Sequence, residues 1–301
     1  MTIAENITRE MRVEPGQPAN IRGRDAGWTG EQYFPGFADE ELKPRANERL
    51  DQFIDELFEA QKVLYADNTY SFLLIFQALD AAGKDGTIKH VMTGVNPQGC
   101  QVFSFKQPSS EELDHTYLWR YNQALPERGR IGIFNRSYYE EVLVVRVHPE
   151  ILQHQKHPPG AIGPNMWEER FEDINAFERH LDRNGTKILK FFLNVSWDEQ
   201  RNRFLRRIDL PDHNWKFSSG DIAERQHWDA YTDAFEDALT KTSTPWAPWY
   251  VIPADHKWIS HVLVGGIVVN AIEQLNLSYP KATSEQLAGL AAAREKLMSE
   301  L

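Results

Sequence analysis

Apolar residues recur near helical spacing over residues 47–65, where Leu50, Phe53, Ile54, Leu57 and Leu64 predict an amphipathic helix leading into the core. The pattern then changes. Residues 71–79 (SFLLIFQAL) form a nearly unbroken apolar run, as expected of a strand buried on both faces of a parallel sheet. Four more strand candidates follow at 101–105, 130–134, 188–195 and 249–252. Helical patterns separate them, for example at 109–124 and 165–184. The second has Asn165 as a plausible N-cap, Glu168 three residues on, and Gly185 just past its end. Strands alternating with helices predict an α/β domain, with a parallel five-stranded sheet covered on both faces. No internal repeat interrupts this order.

Two segments fall outside the alternation. Residues 1–46 are rich in proline, glycine and charge and show no periodicity; they read as an extended arm that wraps the domain or contacts another subunit. The domain proper is then 47–301. Between the fourth and fifth strands, residues 196–245 form a helical, strongly charged insertion, and insertions between sheet elements are where lids occur in enzymes of this architecture. The longest apolar stretch, 258–271, is broken by Ser260, His261, two glycines and Asn270. It is too short and too polar to span a bilayer, and it predicts a buried helix.

The first strand runs straight into Asp80-Ala81-Ala82-Gly83-Lys84-Asp85-Gly86-Thr87 and then into Ile88-Lys89-His90-Val91-Met92. Strand, glycine loop, lysine and helix in this order make a phosphate cradle. Glycines let backbone N–H groups converge on phosphate oxygens, the helix start adds its positive dipole end, and Lys84 adds a full charge. The candidate phosphate contacts are therefore Ala82, Gly83, Lys84, Asp85, Gly86 and Thr87. Compared with G-x-x-x-x-G-K-[ST], Ala78 replaces the first glycine and Asp85 replaces the magnesium-binding hydroxyl residue, with Thr87 two residues later. Asp80 would repel a phosphate unless it holds Mg²⁺ or orients an acceptor; its plainer reading is a turn residue.

The third strand ends in Asn135-Arg136-Ser137-Tyr138-Tyr139-Glu140-Glu141, at the sheet edge where open α/β proteins bind ligands. Arg136 suits a bidentate grip on phosphate. Asn135 stands where an acid would hold magnesium, and Glu140 or Glu141 could supply the missing charge.

The net charge of −11 argues against general affinity for nucleic acid or for an anionic membrane. A polyanionic ligand would need a local basic cluster, and residues 200–207 (QRNRFLRR) provide four arginines without an acid. Arg203, Arg206 and Arg207 are expected on one helix face, with Lys216 and Arg225 extending the set. The competing reading is a solvated helix face with Asp198 and Asp209 as partners. The single cysteine, Cys100, rules out an intrachain disulfide and reads as a small buried hydrophobe. The N-terminus lacks a basic region followed by an apolar one, so no signal peptide is expected and the cytoplasm is the expected location.

In these residues the chain resembles the polyphosphate kinase 2 family, over about residues 45–280. The likeness rests on several motifs in order: Leu79 to Thr87, Gly94-Val95-Asn96-Pro97-Gln98-Gly99, and Phe134 to Glu140. Further on come Trp215-Lys216-Phe217-Ser218 with Asp221, Arg225, Trp228 and Tyr231, and then the run from Thr242 to Tyr250. The resemblance implies a P-loop kinase-like, three-layer α/β/α fold with a helical lid. It also implies reversible, Mg²⁺-dependent phosphoryl transfer between inorganic polyphosphate and AMP, ADP or ATP, with guanine nucleotides as further candidates. By position it makes Asp80, Lys84 and Arg136 catalytic or phosphate-binding, and gives the basic lid residues the polyphosphate chain. Many members have Asp at the place of Asn135. The Asn-Arg-Ser-Tyr-Tyr-Glu form resembles the branch acting on both AMP and ADP. The expected metal set is Asp80, Asn135 and Glu140, and a homo-oligomer is expected. The competing functions are an ATP-dependent nucleotide or small-molecule kinase on the same scaffold, and a silent phosphate-binding scaffold, against which the Asp80–Lys84–Arg136 set argues.

Overall fold

The computed structural model describes residues 2–33 and 39–300. Five parallel strands form its centre: β1 (Ser71–Gln77), β2 (Cys100–Ser104), β3 (Ile131–Asn135), β4 (Thr186–Asn194) and β5 (Trp249–Pro253). Their order is β2-β3-β1-β4-β5. The expected strands are all present, each within one or two residues of its predicted ends. Every residue of β1 is buried. Its neighbours β3 and β4 are reached in opposite directions, so the crevice beyond the end of β1 is a topological switch point, where ligands bind in such sheets.

The two-residue period of the strands divides the core into two layers. Phe72, Leu74 and Phe76 pack with the helices Asp39–Asp67 and Lys257–Glu273. Leu73 and Ile75 face the other way, toward the helices Met166–Arg183 and Trp228–Thr242. The result is the expected three-layer α/β/α arrangement. The apolar 258–271 segment is the buried helix Lys257–Glu273. Gly266 permits its close approach, since a Cβ there would lie 3.0 Å from the Phe53 ring. Among the described residues, no helix is long and apolar enough to cross a membrane.

Several expectations need correction. The arm contains a capped helix, Ile3–Met11, in which Thr2 accepts from the Glu5 N–H and Glu5 accepts from the Thr2 N–H. The arm lies on the body: Ile7, Met11, Val13, Ala19 and Ile21 are buried, and Arg12 bridges to Tyr250 beside β5. The next helix starts at Asp39, not at 47; Pro44 stands near its start, and that proline made the region read as irregular. The expected helix at 109–124 is two short ones, Ser110–Leu113 and Trp119–Asn122. Asn165 makes no side-chain cap. The insertion is helical, as expected, but Trp228–Thr242 buries Tyr231, Ala234, Phe235, Ala238 and Leu239 in the core. It is a body helix, which leaves about 197–227 as the lid, although Trp228 and Tyr231 at its start also line the crevice.

Candidate active site

The loop after β1 is tightly specified. Ala81 (φ +62°) and Gly83 (φ +111°) both adopt left-handed conformations. At +111° a side chain is strongly disfavoured, which explains the glycine; an alanine held left-handed is the kind of local strain that functional loops store. The helix Lys84–Val91 then begins, and its first turn makes an internal bond only at Thr87, whose N–H donates to Gly83 O at 3.0 Å. The N–H groups of Gly83, Lys84, Asp85 and Gly86 therefore head the helix, where its dipole favours an anion. Ala82 and Thr87 leave the expected set. The Ala82 N–H turns back to Leu79 O at 3.3 Å, and Thr87 is buried under the helix.

Lys84 Nζ donates to Ala78 O at 2.9 Å, across the mouth of the loop. Burial, and then the neighbouring Arg136, push its pKa below the usual lysine value; Asp80, Glu140 and Asp85 oppose that shift. Arg136 follows β3 directly and is itself left-handed (φ +67°), with its N–H on Phe76 O. Its fork spans two acids: Nη2 donates to Asp80 Oδ1 at 2.7 Å and Nη1 to Glu140 Oε2 at 3.2 Å. Glu140, against the cost of burial and with help from Asp80, raises its pKa. Asn135 Nδ2 donates to Asp85 Oδ1 at 2.6 Å.

A cleft of about 260 Å³ opens over this cluster. Asp80, Arg136 and Glu140 line one wall; Gln200, Asp221, Arg225, Trp228 and Tyr231 line the other. Tyr231 Oη donates to Glu224 Oε2 at 2.7 Å. Burial, and then Asp80, raise the pKa of Asp221. A second cleft of about 620 Å³ lies beside Glu141, between residues 108–120, 155–158 and the helix Met166–Arg183. In it the Tyr117 hydroxyl and Arg120 Nε are buried without a hydrogen-bond partner.

This geometry agrees with the comparisons to known proteins. Residues 41–280 match the family described as Polyphosphate kinase 2 (PPK2). The chain belongs to the polyphosphate kinase 2 family. An ADP-polyphosphate phosphotransferase of Rhodopseudomonas palustris is 52% identical over 259 residues, covering 86% of this chain and 90% of the relative. An AMP/ADP-polyphosphate phosphotransferase of Meiothermus ruber is 46% identical over 239 residues, covering 79% and 85%. The crystal structure of polyphosphate kinase 2 from Arthrobacter aurescens TC1 superposes with a TM-score of 0.84 at 37% identity, covering 98% of this chain and 99% of that one.

Within this polyphosphate kinase 2 chain the basic lid residues do not act as one face. Arg203, on the helix Trp197–Asp209, is buried against the back of the phosphate loop. Its Nη1 donates to Ala81 O at 3.0 Å and Ala82 O at 2.6 Å, its Nη2 to Ala254 O and Asp255 O, and its Nε to Glu199 Oε1 at 2.8 Å. With its donors so engaged, it has no free edge for polyphosphate, contrary to expectation. Arg207 pairs with Asp221 at 3.0 Å. Arg225 lies over the Trp197 ring at 3.7 Å and donates to Gln200 Oε1 at 2.6 Å. Arg206 and Lys216 are exposed. Lys257 joins them: burial, then Arg203 and Arg206, lower its pKa. Its lone position at the start of a helix gave no sequence signal. Gln200 was also missed; it donates to Asp80 O at 2.9 Å.

The expected metal set does not converge. Asp80 and Glu140 both engage Arg136, whereas Asn135 turns to Asp85. Among the described residues, no group of three or more His, Cys, Asp or Glu is placed to hold a metal ion. Magnesium needs less from the protein. It keeps several waters and takes one or two carboxylates plus substrate phosphates. Asp80 fits that demand, with its side chain 32% exposed at the rim of the cleft beside Lys84.

Proposed function

We propose that this protein is a polyphosphate-dependent nucleotide phosphotransferase, moving phosphoryl groups between inorganic polyphosphate and AMP or ADP, reversibly to ATP, with Mg²⁺. The observation that carries this reading is Lys84 at a helix start, its Nζ on the carbonyl of Ala78, beside a cleft walled by Ala78, Asp80 and the Arg136 fork and beneath a lid with the exposed cations Arg206 and Lys216. The names of the two relatives, acting on ADP or on AMP and ADP, support the acceptor.

Phosphoryl transfer passes through a loose transition state with charge spread over the phosphoryl oxygens, so positioning and electrostatics carry most of the catalysis. The N–H groups of Gly83 to Gly86 bind the transferring group, and Lys84 places its charge on the same oxygens. Arg136 is released from Asp80 or Glu140 to take the facing phosphate bidentately. Lys84 and Arg136 face three acids, Asp80, Glu140 and Asp85, so a polyanion needs a further positive charge. Asp80 would hold Mg²⁺, which supplies that charge to the phosphate oxygens. Arg206, Lys216 and Lys257 draw in the polyphosphate chain.

We assign the acceptor nucleoside to the larger cleft beside Glu141. Tyr117 and Phe177 offer ring faces there, and the unpartnered Tyr117 hydroxyl and Arg120 N–H offer polar contacts. Guanine nucleotides fit the same description and are proposed as additional acceptors. The proposed location is the cytoplasm, where these nucleotides are made and used. A homo-oligomer is also proposed, because the helix Ser284–Met298 exposes Leu287, Leu290, Leu297 and Met298. Light scattering in solution tests that point. The activity is tested by a donor swap: purified protein, Mg²⁺, and AMP, ADP or GDP, with polyphosphate against ATP as donor. ATP formation from ADP and polyphosphate is expected. Its absence across chain lengths and divalent metals would overturn the reading, and phosphorylation from ATP alone would favour the nucleotide kinase.

A further inference from the structure

The middle of β4 contains a lysine with no exposed surface. Lys190 sits beside Ile75 in the sheet centre, and its partner Glu178, on the helix Met166–Arg183, is equally buried. The ammonium group uses all three protons: Nζ donates to Glu178 Oε2 at 2.6 Å, Thr242 O at 2.7 Å and Tyr139 Oη at 2.8 Å. The other carboxylate oxygen, Glu178 Oε1, accepts from Tyr138 Oη at 2.8 Å and Tyr139 Oη at 2.9 Å. Thr242 Oγ1 accepts from Trp249 Nε1 at 2.9 Å. Burial lowers the Lys190 pKa to about 8 and raises that of Glu178.

Removing two charges from water costs several kcal/mol per ion, and a well-packed apolar pair of the same volume is often as stable. Stability alone does not explain this pair. Its other contacts do. Tyr138 and Tyr139 open the short 3₁₀ turn Tyr138–Glu141, which begins two residues after Arg136 and carries Glu140. Both rings are fully buried and both hydroxyls end on Glu178. The same turn is held from beneath by Ser137, whose Oγ accepts from Gln77 Nε2 at the end of β1 and from the Tyr139 N–H. Arg136 needs such support, since its left-handed backbone is unfavourable for a residue with a Cβ.

We propose that the Glu178–Lys190 pair is a positioning device for the reaction. It fixes Tyr138 and Tyr139 from inside the core, and through them sets the angle at which Arg136 and Glu140 face the phosphate loop. These four buried residues never touch substrate. The inference rests on the proposed phosphotransfer for its kinetic readout, but not for its structural one.

The test uses Tyr139→Phe, which keeps the ring and removes the hydroxyl, and Glu178→Gln, which keeps the shape and removes the charge. Both are measured by steady-state kinetics with polyphosphate and ADP, and by hydrogen exchange over residues 131–143 and over all five strands of the sheet. The expected result is a kcat lower by about tenfold to a hundredfold with KM for polyphosphate within about twofold, the signature of a misplaced group that acts in the transition state. Exchange should rise at 136–142 while β1 and β4 remain protected. Folded variants with wild-type kcat and wild-type exchange at 136–142 would overturn the proposal. So would exchange rising equally throughout the sheet, which would mark a purely structural pair. If Glu178→Gln does not fold, Tyr139→Phe decides alone. If the wild type has no activity on polyphosphate, the functional reading fails and the exchange data still decide the positioning.

Discussion

Replacing Arg203 by lysine keeps the charge and removes the fork, and so separates two roles that a charge count cannot. Arg203 makes five donor contacts, to four backbone carbonyls and to Glu199. A lysine has three donors on one nitrogen and cannot span the Ala81–Ala82 and Ala254–Asp255 carbonyls together. Hydrogen bonds to a charged group contribute about 1.5–3 kcal/mol each, but neighbouring losses are not additive and water can enter, so roughly 2–3 kcal/mol of stability should go in Arg203→Lys. Arg203→Ala leaves every one of those acceptors without its partner and should lose about 3–5 kcal/mol, as for one half of a broken buried pair. With the loop no longer tied to the residues after β5, kcat should fall between about tenfold and a hundredfold in Arg203→Lys. KM for polyphosphate and its dependence on salt should not change. The assay is ATP formation from ADP and polyphosphate at two ionic strengths, alongside a thermal melt. If Arg203→Lys retained wild-type kcat while Arg203→Ala raised KM and flattened the salt response, Arg203 would be a polyphosphate ligand and the clamp would be refuted.

Lys84→Ala should lower turnover by several orders of magnitude, about 3–5 kcal/mol of transition-state stabilisation, without unfolding the protein; steady-state kinetics and circular dichroism check both parts. Asp80→Asn should raise the Mg²⁺ concentration needed for half-maximal rate or abolish activity, and an unchanged magnesium titration would remove Asp80 as the ligand. Arg206→Ala should raise KM for polyphosphate and flatten its rise with ionic strength, because exposed contacts are screened over a Debye length of about 8 Å at physiological salt; a variant identical to wild type at two salt concentrations would restore the solvated-face reading. Burial pushes the Cys100 thiol up to about 11. At pH 8 only about one thiol in a thousand is then the reactive thiolate, so disulfide-reagent labelling should be slow and should quicken about tenfold per pH unit until pH approaches that value. Cys100 is only half-buried, short of the fully buried residue expected, and fast labelling at pH 8 would contradict the raised pKa.

What the sequence disclosed depended on whether the relevant neighbours were adjacent in the chain. Lys84 and Arg136 could be placed because strand, loop and helix follow one another directly, and the chemistry at a strand end constrains the next few residues. β1 could be placed because a strand buried on both faces loses its alternation. Arg203, Arg206 and Arg207 of the lid helix could not be sorted in this way. Spacing puts Arg203 and Arg207 one turn apart, yet one is buried and the other half-exposed. What separates them is the set of carbonyls across the crevice, at 81–82 and at 254–255, more than forty residues away on either side. The Glu178–Lys190 pair was hidden for a similar reason. A lysine within an apolar run reads as an edge or a solvated end of a strand, and its acceptors come from a helix, a turn and the end of another helix. Two of the acids beside the phosphate loop have a comparable explanation. Asp80 and Glu140 hold Arg136 in place until a phosphate arrives, so the carboxylates that seemed at odds with a polyanionic substrate keep its receptor ordered in the substrate's absence. On that view a substitution such as Glu140→Gln should loosen Arg136 before it strengthens polyphosphate binding, and the positive charge it unmasks would come at the expense of geometry.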